Sequence, residues 1–200
     1  LDNNVLNKIK ILTKMLSKKR RKKKSLWKEV GRCLYNLDAD KKELLNIWFD
    51  FSKKKYTISE NERKNGYENF NTDDCENEWK KMIDDEYLSI SSLKCWASKD
   101  NPRKYNKFIK TEIYTFLSKC TNTTHVDITK TLYLLCGLNF ICASIKNNIW
   151  YEFKNHRWEE IQSGCTLRKK ITNELAIMYA TFRDFCYKAA ELIPDDDDCE

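Results

Sequence analysis

Seven consecutive cations, Lys18-Lys19-Arg20-Arg21-Lys22-Lys23-Lys24, are the densest chemical signal in the sequence. Such a run can neutralise successive phosphates of a polyanion, releasing counterions and making binding sensitive to salt. Phosphate contacts carry no base information, so binding of this kind is not sequence-specific. The same composition also serves solvated linkers and nuclear-import signals. A second candidate is His156-Arg157-Trp158, where charge and an aromatic face could meet single-stranded DNA. Against that, Trp158 reads better as packing on a long helix that follows, while His156 and Arg157 stay open between a DNA contact and decoration of a turn.

Asp38-Ala39-Asp40 places two carboxylates one residue apart, which on a strand would project the same way and could hold divalent metals. Helical patterns flank it instead, so helix capping is the better reading. Nine cysteines are odd in number and scattered from Cys33 to Cys199, without a Cys-x-x-Cys pair. With only His125 and His156 beside them there is no zinc-ligand spacing, and no nucleophilic cysteine is supported. Scattered thiols fit a reducing, cytosol-like compartment better than a disulfide scaffold.

The elements that must position these groups read mainly as α. Four Gly and two Pro are few breaks for 200 residues, and one ordinary domain or two small ones can bury a core at this length. Val5, Ile9, Leu12 and Leu16 predict an amphipathic helix ahead of the basic run. Ser25 is placed to cap a second helix with Leu26, Val30, Cys33, Leu34 and Leu37 on one face, and Asp40 a third with Leu44, Leu45, Trp48 and Phe51. The polar stretch 53–71 reads as a loop or partly ordered insertion. Asp73 with Glu76 opens a short helix, Ser91 or Ser92 caps another, and Pro102 begins the next, through Ile109, Ile113 and Leu117.

Asp127 begins a segment, Ile128 to Ala143, that is apolar almost all round and so predicts a core element. Residues 149–161 have the aromatic and β-branched content of a hairpin turning at Lys154-Asn155-His156, the one convincing β signal. Leu167, Ile171, Leu175, Met178, Phe182, Phe185, Ala189 and Leu192 keep steps of three and four, predicting one long helix over 166–193 that stops at Pro194. Trp27, Trp48, Trp79 and Trp96 all fall on apolar helical faces and read as core, not as a base-stacking platform.

Two sets of residues carry a resemblance. The first is Leu26-Trp27-Lys28-Glu29-Val30-Gly31-Arg32-Cys33-Leu34-Tyr35-Asn36, then Trp48 to Lys54, then Cys75 with Trp79, then Ser91-Ser92-Leu93-Lys94-Cys95-Trp96-Ala97. It resembles the second type of primase C-terminal domain. The second is Trp150 to Trp158 followed by Leu167-Arg168-Lys169-Lys170-Ile171, and it looks like the domain that precedes a superfamily-three helicase motor. Both sets, in this order, resemble the poxvirus-type primase–helicases of large nucleocytoplasmic DNA viruses.

The resemblance implies a small helical bundle over 25–105, led in by an amphipathic helix and basic arm over 1–24. A helical region over 106–200 follows, with hairpin 149–161, long helix 166–193 and an acidic tail. It implies a non-catalytic segment that handles single-stranded or primer-template DNA and couples a primase core to a ring-forming helicase. The alternative is an oligomerisation or interaction module without direct DNA contact. In that context the basic run, Lys18 to Lys24, reads as nucleic-acid binding. No Gly-rich loop followed by Lys-Ser or Lys-Thr occurs in the 200 residues, so ATP and Mg are expected only in flanking catalytic domains, and no cofactor here. The start at Leu1 and the acidic end suit an excerpt of something longer. No stretch approaches the roughly 20 apolar residues of a membrane span, so no membrane partner is expected. The implied location is the host cytoplasm's viral factory or the virion, with the host nucleus open. The formal net charge of +7 is concentrated enough to suggest a polyanion met by one region.

Overall fold

The computed structural model describes residues 1–38, 42–53, 55–83, 87–120, 124–155 and 157–191. The architecture is mainly α, as the pattern predicts, with one small antiparallel sheet. The chain divides into two compact units, Leu1–Lys107 and Phe108–Glu200.

The first unit holds α1 (Asn3–Met15), α2 (Lys18–Lys22), α3 (Lys24–Tyr35), α4 (Lys42–Ser52), α5 (Glu60–Lys64), α6 (Thr72–Trp79) and α7 (Ile90–Asp100). The division then falls inside α8 (Pro102–Leu117), which Pro102 opens as expected. Asp2 caps α1 by accepting the Val5 N–H at 2.7 Å. Ile9 and Leu12 are fully buried, and α1 packs against α7 and α4. The first helix is therefore a wall of the bundle.

The core of this unit is aromatic. The Trp27 ring stacks on Trp48 at 4.5 Å on one side and on Phe70 at 3.9 Å on the other. Trp79 joins them, 6.0 Å from Trp48 and edge-on to Tyr35 at 5.2 Å. Ser52 ties the cluster together: its hydroxyl accepts from the Trp27 indole N–H at 2.8 Å and donates to the Trp48 carbonyl at 2.8 Å. A Cβ on Gly31 would lie 2.3 Å from Cζ2 of Trp48, so the indole lies directly on the α3 backbone. The Trp and Val-Gly positions of the first motif set are thus packing positions, as the helical spacing implied.

Several helix starts differ from expectation. Ser25 does not cap α3; the N-cap is Lys23, with no side-chain bond. The reason is a backbone seam: the Lys24 N–H donates to the Gly66 carbonyl at 2.9 Å, and the Glu68 N–H to the Lys22 carbonyl at 2.7 Å. Another strand of chain does what a capping hydroxyl would do. That partner comes from the stretch expected to be a loop, which contains α5, started by a capping box between Ser59 and Glu62. No α5 residue is buried, so no apolar periodicity marks it. Asn71 with Asp74 caps α6, two positions ahead of the predicted Asp73, and Ser89 with Ser92 caps α7, two or three positions ahead of the predicted Ser91 or Ser92. Asp40 lies outside the described residues.

In the second unit Thr124 and Asp127 form a reciprocal capping box for α9 (His125–Cys136). The sequence predicts one core element over 128–143, but burial there is not continuous. The segment divides into α9 and strand β1 (Phe140–Ser144), and Ile128, Tyr133 and Ile141 are exposed. The hairpin is present as β2 (Ile149–Lys154) and β3 (Arg157–Ile161), and β1 extends it to a three-stranded sheet in the order β1-β2-β3. Its turn uses Asn155 at φ 51°, a left-handed conformation that Asn tolerates. The long helix comprises α10 (Cys165–Lys170), a π turn (Ile171–Leu175) and α11 (Ala176–Ala190). Residues 192–200 lie outside the description. Leu167, Leu175 and Met178 are buried, whereas Ile171 and Phe185 of the predicted stripe are exposed.

Gly31→Ala sets a methyl group against a rigid indole, an overpacking that destabilises by about 1–3 kcal/mol. Urea unfolding followed by tryptophan fluorescence should show a lowered midpoint; an unchanged midpoint would mean that α3 and α4 separate easily.

Candidate nucleic-acid interface

The basic run is not a free arm. Lys18–Lys22 form α2, and Lys24 starts α3. Three of its cations point into the first unit. Arg20 Nε donates to Asp100 Oδ2 at 2.9 Å, and the same carboxylate oxygen accepts the Ser17 backbone N–H at 2.9 Å. The Arg20 guanidinium also lies 4.8 Å from the Trp96 ring. Arg21 lies 5.1 Å from the Phe51 ring and donates from an η nitrogen to the Tyr56 hydroxyl at 3.0 Å. Lys22 is 5% exposed, and its ammonium meets Glu62 Oε1 at 2.8 Å beneath the Tyr67 ring. Cations over aromatic faces are stabilised by the ring quadrupole, more so where water is displaced.

The remaining four differ. Lys18 and Lys19 are exposed, with the Lys18 ammonium 4.5 Å from the Tyr56 ring. Lys24 is exposed and faces Glu68 at 3.5 Å. Lys23 is half-buried, and its backbone pairs with Tyr67. The predicted DNA-binding residues thus split into Arg20, Arg21 and Lys22, which hold the fold, and Lys18, Lys19 and Lys24, which solvent reaches. Sequence reasoning missed the acceptors Asp100 and Glu62, which are 80 and 40 residues away along the chain.

In the second unit Arg157 is exposed, with its Nε 2.8 Å from Glu159 Oε1 on the same strand. His156 lies outside the described residues. Trp158 is 43% exposed, and its ring partner is Phe153, edge-on at 5.2 Å, directly opposite it in the β2–β3 register. The expected packing on the long helix gives way to a cross-strand aromatic pair, because residues paired across two strands share a face.

Burial pushes the thiols of Cys33 and Cys75 up to about 12, and that of Cys136 up to about 11. They stay protonated and act as small apolar core residues. Among the described residues no group of His, Cys, Asp and Glu could hold a metal ion, and no helix is long and apolar enough to cross a membrane.

Residues 9–97 match the family model described as Primase C terminal 2. The chain is 37% identical over 172 residues to a protein of Acanthamoeba polyphaga mimivirus named as a helicase, a match that takes in 86% of this chain and 16% of that protein. It is 26% identical over 169 residues to a frog virus 3 protein also named as a helicase, covering 84% of this chain and 16% of that one. The chain therefore spans about a sixth of the length of these relatives. The matches bear out the resemblance drawn from the motifs, to a primase–helicase of large DNA viruses.

The Lys22 ammonium and the capping bonds from Ser59 hold the Glu62 carboxyl down at about 2, well below the ordinary glutamate range. A depressed carboxylate contributes stability that is present above its unfolded value and is lost as pH falls through its folded value. Wild type should thus exceed Glu62→Gln in stability at neutral pH. That margin should shrink as pH drops from about 4.5 toward 2, read by chemical denaturation at each pH. A margin independent of pH over this range would show that Glu62 acts through packing alone.

Proposed function

We propose that this chain is a non-catalytic, DNA-handling segment of a viral primase–helicase, placed between a primase core and an ATP-driven helicase motor. Its match to a primase C-terminal family and its two helicase-named relatives support that setting. The observation that carries the DNA-handling part is the division of labour in the basic run. Arg20, Arg21 and Lys22 fix α2 to the first unit, and this holds Lys18, Lys19 and Lys24 in solvent, where phosphates can reach them. Cations held on a rigid element lose less side-chain freedom on meeting a backbone than cations on a floppy arm. ATP and Mg belong, on this reading, to catalytic domains elsewhere in the full-length protein, which would act as a ring.

A second reading is an assembly module. It is favoured by large apolar side chains exposed on the second unit: Tyr133 on α9, and Ile177, Phe185 and Tyr187 on α11. Scattered exposed apolar residues are common, whereas a contiguous patch of them marks an interface.

Replacing the whole run would remove the ion pairs of Arg20 and Lys22 and would test folding as much as binding. The discriminating variant is Lys18→Ala, Lys19→Ala, Lys24→Ala. With labelled single-stranded DNA and anisotropy at several salt concentrations, the wild type should bind with a steep salt dependence. The variant's slope should be shallower by about 2, at about 0.7 per lost phosphate contact. Absence of binding by the wild type, with oligomers seen in sedimentation, would favour the assembly reading.

A further inference from the structure

The first unit has a small concavity of about 60 Å³ between α1, α2 and α4. Ile47 and Phe51 form its apolar floor, and three cations reach it: Lys10 and Lys14 from α1, and Arg21 from α2. Lys10 and Lys14 are four residues apart, so their stems leave the same face of the helix. Both are exposed. They lie outside the run of seven cations, and no motif marks them.

Arg21 supplies the directional part. Its guanidinium is held by the Phe51 ring at 5.1 Å and by the Tyr56 hydroxyl at 3.0 Å. Its Nε is buried without a hydrogen-bond partner. That nitrogen is closed to solvent, so Arg21 meets an anion in the cleft through the rest of its guanidinium, whose charge the missing partner leaves unshared. The one carboxylate at the rim, Asp50, is occupied by Lys53 at 2.8 Å, so it leaves the charge of the other three cations uncompensated. A planar guanidinium fixed beside two flexible ammonium groups suits the oxygens of a phosphate: the first offers directional donors, the others adaptable point charge.

We infer that Lys10, Lys14 and Arg21 form a phosphate-binding cleft that takes a backbone phosphodiester of single-stranded DNA. The inference rests on the DNA-handling reading and deepens it. It adds a defined seat on the α1 side, and with the exposed Lys18 of α2 it gives a strand successive contacts in one unit.

The test is the full chain with labelled oligothymidylate, comparing wild type, Lys10→Ala/Lys14→Ala, and a control pair of exposed lysines in the second unit, Lys110→Ala/Lys188→Ala. Circular dichroism melts check that each variant folds as the wild type does. The cleft variant should lose about 0.7 from the salt slope, at about 0.7 for the one phosphate seated, which is roughly 5-fold weaker binding at 0.1 M salt. The control pair should stay close to wild type. The cleft is overturned, with the DNA reading intact, if the wild type binds and the cleft variant matches it, or if the control pair loses as much. It is also overturned as a backbone site if ATP displaces the oligonucleotide from the wild type but not from the cleft variant, which would point to a free nucleotide. If the wild type does not bind DNA at all, both the cleft and the DNA-handling reading fall.

Discussion

The contact of the Trp48 indole with the backbone of Gly31 is the constraint on which the first unit depends. Helices with ordinary side chains pack at 8–10 Å between axes, and a missing Cβ lets an aromatic ring lie against the chain itself. That close approach seats Trp48 where Trp27 can stack on it, and Trp27 in turn is covered by Phe70 from the segment ahead of α6. Ser52 then meets the Trp27 N–H at the end of α4, and the Cys75 thiol closes on Ser52 at 3.3 Å. Residues from α3, α4 and α6 are thereby committed to one geometry. Trp27, Gly31, Trp48 and Cys75 of the first motif set are therefore packing positions.

The basic run shows how such a scheme uses charge. Seven neighbouring cations repel one another, and a helix made of them has little reason to form alone. Here the repulsion is offset from outside: Asp100 and Glu62 supply opposite charge, and Trp96, Phe51, Tyr67 and Tyr56 supply ring faces. An Arg or Lys stem also covers apolar surface while its head keeps a polar partner. The result is a cationic helix whose stability comes from the bundle, so its exposed lysines inherit a fixed position.

Much of this was legible in the sequence where period and composition speak. The helices carrying Ile9 and Leu12, Val30 and Leu34, or Ile109 and Ile113 are signalled by spacing, and the β2–β3 hairpin by its aromatics and turn residues. Helix starts were less legible, because Ser59, Asn71, Ser89 and Thr124 each cap through a residue three positions on, and neighbouring Ser or Asp residues look equally suitable. The backbone seam between 22–24 and 66–68 has no side-chain signature at all. The sorting of the basic run into buried and exposed members was equally hidden, since the acceptors of Arg20 and Lys22 are remote in sequence. Lys10 and Lys14 could have been noticed as an i, i+4 pair, but only the fold brings Arg21 beside them.

The π turn at Ile171–Leu175 has a geometric consequence for the long helix. A regular α-helix advances about 100° per residue, so one residue too many in a single turn offsets everything after it by about that angle. Here Ile171, where the turn begins, is exposed, while Leu167 before it and Leu175 at its end are buried. Met178 still faces inward, while Ile177 and Phe185 come round to solvent. The inward row drawn by the sequence period is therefore kept at Leu175 and Met178, interrupted at Ile171 where the turn begins, and carried on into solvent at Phe185.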